Sequence, residues 1–301
     1  RFWGVRGSYP VPGPNTIRVG GNTSCIEVWA GGHLIIIDAG TGIIGLGKEL
    51  VNEHLATGKP IVATILFSHT HHDHTQGFPF FEPAYFGTSV FHMFGPRVLG
   101  PTAFYEDIEQ ALQRAMVAPS FPVTLDGLRS LRIISNLDED EVVILDQGKE
   151  PRIRNIYRHE PVTSPTAVQI SVLNSTAHVR EGVSIYRITW SGKSMVYATD
   201  TESYVGGDTR LIEFARGADL LIHDAQYTQS EYVTAPRPKQ GWGHSTPEMA
   251  TFTVKAAQVK KLVLFHHDPT HDDETLAEIE RKAQQDFPNT ILAYEGLTIE
   301  L

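Results

Sequence analysis

Residues 66–77 read LFSHTHHDHTQG. Positions 69 to 74 hold four histidines and one aspartate, directly behind the apolar run of residues 61–67. That pattern is a strand ending in a polar loop. His69 and His71 lie two apart, so in extended chain their side chains point the same way and can grip one ion together. Asp73 and His74 come as the chain turns toward a helix and need not face the same ion. The geometry offers two half-sites side by side. Neutral imidazoles suit zinc, manganese or iron, and the carboxylate adds a hard oxygen ligand whose charge offsets the cation. His72, between the ligands, points away from them and reads as a solvent-facing or supporting residue. The plainer alternative is a solvated loop that binds nothing, but an H-x-H-x-D-H string closing a buried-type strand is hard to place under it.

Further ligands are offered where other expected strands end. His178 follows VLNSTA, Asp200 ends MVYATD, and His266 ends LVLF, the positions at which a rigid sheet carries functional groups on its loops. Each has a bland reading: an ordinary loop histidine for His178, a turn cap for Asp200, and a competing neighbour, His267, for His266.

The rest of the chain bounds the problem. With 301 residues, 41% of them hydrophobic, it can bury a large core. Lys and Arg number 25 against 35 Asp and Glu, a net charge of −10, and the cations are scattered. A long nucleic acid, which needs a broad basic surface, is therefore disfavoured as a partner. The single cysteine, Cys25, permits no internal disulfide and no cysteine-rich zinc module. A reducing, cytoplasmic location is the simpler expectation, although a chain starting at Arg1 leaves room for a removed leader. The strongest apolar runs, residues 34–37 and 61–67, are strand-sized, so no membrane partner is expected.

Along the chain, the Gly- and Pro-rich opening RFWGVRGSYPVPGPNT reads as loop. Residues 25–30 and 33–38 flank a Gly-Gly pair and form a hairpin. A helical pattern runs to about residue 55. Residues 80–165 are less regular, with a helix expected around 103–116, and read as an insertion within a single domain spanning 1–301. Antiparallel strands are expected at 167–173, 183–190 and 195–198. Helices at 209–216, 247–259 and 273–286 then alternate with strands at 220–223 and 262–265. Strand-rich and then alternating organisation fits packed sheets with helices outside.

The ordered set His69-x-His71-x-Asp73-His74, His178, Asp200 and His266 resembles the metallo-β-lactamase superfamily over most of the chain, from GGNTS to EGLTIEL. The resemblance implies an α/β fold, an αββα sandwich of two mixed β-sheets flanked by helices, with the site along one edge. It assigns His69, His71 and His178 to one divalent ion and Asp73, His74 and His266 to a second, with Asp200 bridging; Zn or Mn would serve, and Fe is compatible. Asp38, closing LIIID, resembles the family's early buried aspartate, a support rather than a ligand.

Fold does not fix the reaction, since the superfamily includes lactamases, thioesterases, lactonases, flavoproteins and phosphodiesterases. Two further stretches resemble the phosphodiesterase branch that contains RNase Z and small cyclic-phosphodiester hydrolases. His223-Asp224-Ala225-Gln226 is similar to its His-Glu-Ala-Thr motif, with Asp for Glu and Gln for Thr. Gly243-His244-Ser245-Thr246 stands where the branch carries a catalytic histidine, although Ser245 or Thr246 could serve only as a helix cap. The expected activity is a dinuclear metal-dependent phosphodiesterase. A metal-bridging hydroxide would attack phosphorus, with Asp73 in the catalytic set and His244, held by Asp224, protonating the departing alkoxide. No basic arm for gripping tRNA is visible, so a cyclic nucleotide or other small phosphodiester is favoured. An RNase Z-like tRNA 3′-processing endonuclease and a lactonase- or thioesterase-type hydrolase stand as alternatives. Phe78, Phe80, Phe81, Tyr85 and Phe86 could stack on a base but fit core better. Arg6, Arg18 and Lys239 read as surface charge. A homodimer is left open.

Overall fold

Gly31 and Gly32 take φ of 57° and 81°, the pair of positive values that a two-residue hairpin turn with the right twist demands. In the computed structural model, which describes residues 1–99, 105–159, 164, 166–178, 182–204 and 206–301, this turn joins the second and third strands. The first half of the chain runs β1 (Phe2–Gly4), β2 (Cys25–Ala30), β3 (His33–Ile37), α1 (Gly42–Thr57), β4 (Val62–Leu66), α2 (His72–Thr75) and β5 (Val90–Gly95). A small ribbon, β6 (Val98–Leu99) and β7 (Tyr105–Glu106), precedes α3 (Ile108–Ala115) and β8 (Leu131–Asn136). The second half begins with β9 (Glu141–Leu145), β10 (Arg152–Asn155), β11 (Val168–Ser175), β12 (Val183–Trp190) and β13 (Lys193–Ala198). It continues through α4 (Thr209–Ala215), β14 (Leu220–Asp224), α5 (Gln229–Val233), α6 (Pro247–Ala256), β15 (Leu262–Phe265), α7 (Asp273–Asp286) and β16 (Thr290–Leu292).

These strands build two mixed sheets, one in the order β1-β2-β3-β4-β5-β8 and one in the order β10-β9-β11-β12-β13-β14-β15-β16. Each starts antiparallel and turns parallel, from β3 onward in the first and from β13 onward in the second. Parallel neighbours need crossovers, which α1, α4, α6 and α7 supply. One apolar cluster, including Ile35, Ile37, Ile170, Ile185, Tyr197 and Leu221, fills the space between the sheets and reaches under the second sheet's helices. The other, including Ile36, Ile43, Ile65, Phe78, Phe81 and Phe91, packs the first sheet against α1 and α3. The alternation of Ile35 and Ile37 against Ile36 between these clusters is the two-residue period of a strand buried on both faces. The result is the αββα sandwich.

Four differences from the sequence reading stand out. The opening is not all loop, because Phe2–Gly4 pairs with β2, and β16 adds an eighth strand to the second sheet. Residues 80–165 are woven into both sheets, β5 and β8 extending the first and β9 and β10 edging the second. Arg6 is fully buried rather than a surface charge. It bonds the backbone carbonyls of Gly20, Asp268 and His271 and so clamps the first segment to the loop after β15. The part of the expected 103–116 helix before residue 105 lies outside the described residues.

What matters for function is direction. The carboxyl ends of β3, β4, β13, β14 and β15, all in parallel-paired regions, open onto one edge of the sandwich. That is where open α/β sheets place ligands.

Candidate metal centre

Asp38, Asp200 and His266 stand just past the ends of β3, β13 and β15, with φ of 60°, 49° and 62°. Non-glycine residues in this left-handed region cost roughly 1–2 kcal/mol each, and such strain concentrates where a side chain must be aimed. Here it turns each side chain off its strand and toward the mouth of the cluster. β4 delivers Ser68 and His69, while α2 carries Asp73 and His74 on one buried face and leaves His72 exposed.

Two groups of donor atoms result. His69, His71 and His178 form one, and Asp73, His74, Asp200 and His266 form the other; within each group the donor atoms lie within 4.8 Å of one another. Asp200 faces both. Its Oδ1 is 3.7 Å from His69 Nε2 and from His178 Nε2, and its Oδ2 is 3.1 Å from His74 Nε2 and 3.2 Å from His266 Nε2.

The rings are held from behind. His74 Nδ1 donates to Asp38 Oδ2 at 2.7 Å, and Asp38 also accepts from the Ser68 amide, the Ser68 hydroxyl and the Tyr197 hydroxyl. Because the Ser68 hydroxyl proton goes to Asp38, its oxygen accepts from His69 Nδ1 at 3.1 Å. His266 Nδ1 donates to Gln226 Oε1 at 2.9 Å, an amide oriented by the Ser8 and Tyr227 hydroxyls. His178 Nδ1 donates to the Gly243 carbonyl at 3.2 Å. In all four rings the proton is thereby assigned to Nδ1 and the lone pair to Nε2, the arrangement in which imidazoles ligate metal.

Those lone pairs converge. His74 Nε2 and His266 Nε2 face each other at 3.2 Å, and His178 Nε2 lies 3.0 Å from His71 Nδ1. His69 Nε2 is buried with no hydrogen-bond partner. Facing lone pairs repel, and an orphaned buried nitrogen is costly, unless a cation sits among them. The donor set fits divalent metal. The protonation equilibria agree. Burial would lower the His74 pKa, but Asp200, Asp73 and Asp38 raise it well above the usual histidine range. Burial would raise Asp73 and Asp200, yet the surrounding histidines hold both well below the usual carboxylate range. Positive charge is stabilised at this spot. In the other group burial, reinforced by His74, keeps His69 well below its ordinary value and hence neutral.

Beside both groups sits His244. Its Nδ1 donates to Asp224 Oδ2 at 2.8 Å, so that nitrogen has no lone pair for a metal. Asp224 Oδ1 accepts from the Ser245 and Gln226 amides, and its Oδ2 accepts from the Asp200 amide. Burial pushes the His244 imidazolium down, but Asp224 and then Asp200 outweigh it and lift the group to about 9. Thr246 caps α6 by accepting from Met249 N, with Pro247 in the first turn, so capping and the placing of His244 are one local structure.

Of the histidine neighbours, His266 joins the donors. His267 instead donates Nε2 to the Ala293 carbonyl, and burial pushes it down to about 3. His223 is buried and bonded to the Asp224 carbonyl. Phe78 and Phe81 are core, while Phe80 is 56% exposed against Phe121. Arg18 pairs with Glu274 at the surface, and Lys239 lies over the rings of Trp242 and Tyr227. Sequence reasoning missed Gly7, Ser8 and the role of Gln226. The Ser8 amide donates to Asp73 Oδ2 at 2.7 Å, and a Cβ on Gly7 would lie 2.5 Å from the His266 ring. The glycine in VRGSY was the available signal.

Comparison with known proteins places this geometry. The family model described as the β-lactamase superfamily domain matches residues 33–267. A ribonuclease Z of Prochlorococcus marinus subsp. pastoris is 24% identical over 302 residues, covering 91% of this chain and 90% of that protein. The metallo-β-lactamase fold protein YhfI from Bacillus subtilis superposes with a TM-score of 0.64 at 18% identity, over 98% of this chain and 96% of that one. A diphosphatase of the PhnP family superposes with a TM-score of 0.61 at 16% identity, over 100% and 96% of the two chains. Among the described residues, no helix is long and apolar enough to cross a membrane.

Proposed function

The chain belongs to the β-lactamase superfamily, and from that premise we propose that it is a metal-dependent phosphodiesterase acting on a cyclic nucleotide or another small phosphodiester. His69, His71 and His178 hold one divalent ion, Asp73, His74 and His266 hold a second, and Asp200 is shared; zinc or manganese suits the mixed donors, and iron is compatible. Bound there, such ions supply a lowered pKa for water and positive charge against the phosphate oxygens.

The observation that carries the reading is the Asp224–His244 pair beside the two donor groups. An alkoxide leaving phosphorus needs a proton, whereas the thiolate of a thioester can leave without one. Asp224, 2.8 Å away, favours the protonated form of His244, and the Nε2 edge of that ring is the one left to meet substrate. Asp224 holds the ring rather than the substrate, and Asp73 is fixed by the Ser8 amide. The same carboxylate that orients the acid accepts from the backbone of Asp200, so acid and ligand are positioned by one group.

The ribonuclease Z relative makes a tRNA substrate the main competitor. A net charge of −10 with scattered cations supports the small substrate instead. Within the stretch 80–165, β5 and β8 extend the first sheet and β9 and β10 edge the second. Metal-loaded protein offered 2′,3′- and 3′,5′-cyclic nucleotides, precursor tRNA, lactones and thioesters should turn over the cyclic diesters. Lactone or thioester turnover without diester turnover would overturn the proposal, and cleavage confined to precursor tRNA would move it to the competitor.

A further inference from the structure

A cavity of about 620 Å³ opens beside His178, lined among others by Tyr204, Gln240, Gly241, Gly243 and Met249. Its volume falls in the range of small-molecule sites, roughly 300–1,000 Å³, and its wall includes a residue of the first donor group. The wall is fixed: Glu202 accepts from the amides of Gly241 and Gly243, each at 2.8 Å, and from the Tyr232 hydroxyl. Those three donors meet the one carboxylate in the cavity. By contrast, neither the Tyr204 nor the Gln240 side chain forms a hydrogen bond among the described residues, and Tyr204 is 55% exposed. Next to Gln240 in the chain, Lys239 rests over Trp242 at 4.0 Å and Tyr227 at 5.2 Å with no ion pair among the described residues.

A planar ring, an amide with both donor and acceptor unengaged and a soft thioether match a flat, polar-edged ligand. We propose that this cavity is the subsite for the base of a mononucleotide diester, with Tyr204 as the stacking face and Gln240 meeting the polar edge of the base, while the phosphate lies at the donor groups. The assignment rests on the phosphodiesterase reading and deepens it. Stacking on an aromatic side chain is tolerant of base identity, so Tyr204 sets affinity for any base and Gln240 sets the choice among bases.

The test compares each cyclic nucleotide with its abasic counterpart, the same ribose cyclic phosphate carrying a methoxy group in place of the base, on metal-loaded protein with hydrolysis followed by ³¹P NMR. In Tyr204→Ala the ratio of kcat/KM for nucleotide over abasic diester falls about tenfold or more, mainly through KM. Tyr204→Phe restores the ratio, and Gln240→Ala changes the order of preference among bases. A ratio unmoved by Tyr204→Ala, or a wild-type protein that hydrolyses both diesters equally well, overturns the subsite while leaving the phosphodiesterase reading intact. Failure of the wild-type protein to hydrolyse any diester overturns that reading instead.

Discussion

The two donor groups share one stretch of six residues yet differ in charge and in access. His69, His71 and His178 bring three imidazoles and no carboxylate of their own, and His71 is exposed; Asp73, His74, Asp200 and His266 bring two carboxylates and are buried throughout. A cation entering the second group meets two negative charges in a poorly screened interior, where their attraction is strong. The same ion in the first group meets three imidazoles, only the shared carboxylate of Asp200, and an open side at His71. On the proposed assignment, the second group would hold its ion more tightly than the first, which would meet substrate beside the cavity. A chelator should therefore strip the first ion well before the second.

The most damaging way to break this difference is to remove what the groups share. Asp200→Asn takes away the charge that faces His69 and His178 through Oδ1 and His74 and His266 through Oδ2. Because bound metal contributes several kcal/mol to such chemistry, kcat/KM should fall by about 10³-fold or more, and elemental analysis should show metal lost from both groups. His244→Ala should leave the metal content intact and lower turnover of diesters with alkoxide leaving groups by at least about 10²-fold. A p-nitrophenoxide leaving group, which departs without a proton, should be affected far less. Equal losses on both substrates would remove the proposed acid.

Smaller effects separate the groups. Asp38→Asn loosens His74 in the second group, so its ion should bind about 10–100-fold more weakly, closing the gap in chelator resistance. The pH profile isolates His244 itself. Asp224 raises its pKa to about 9 in the metal-free site, and cations bound at Asp200 and Asp73 would pull it lower, so the acid is present at low pH and lost as pH rises through a value at or below that. The basic limb of kcat/KM reports this group in the free enzyme. Asp224→Asn, which removes the principal raising charge, should shift that limb downward by about one unit or more, whereas an unmoved limb would assign it to another group.

The donor residues were legible because metal chemistry restricts residue type and strand ends restrict position. HTHHDH declares itself locally. His178, with no diagnostic flank, and His266 rather than His267 were placed through the resemblance to the family's order of motifs, and the left-handed turn at His266 directs that ring to the donors and leaves its neighbour on the Ala293 carbonyl. The supports were largely invisible. Ser8 reaches Asp73 across 65 residues and Arg6 reaches His271 across 265, and neither bond leaves a local pattern in the sequence. Periodicity gave packed sheets with helices outside, and the αββα arrangement came through the family resemblance. The three-residue strands β1 and β16 showed in neither, because pieces so short are held by their neighbours rather than by their own preference.

The most direct test is the number of divalent ions per chain at equilibrium with saturating free zinc or manganese. Two ions per chain are expected, with one retained in His71→Ala, where the second group is untouched. A single ion per chain in the wild-type protein, with all seven ligands in place, would contradict a divided centre and with it the mechanism proposed for this chain.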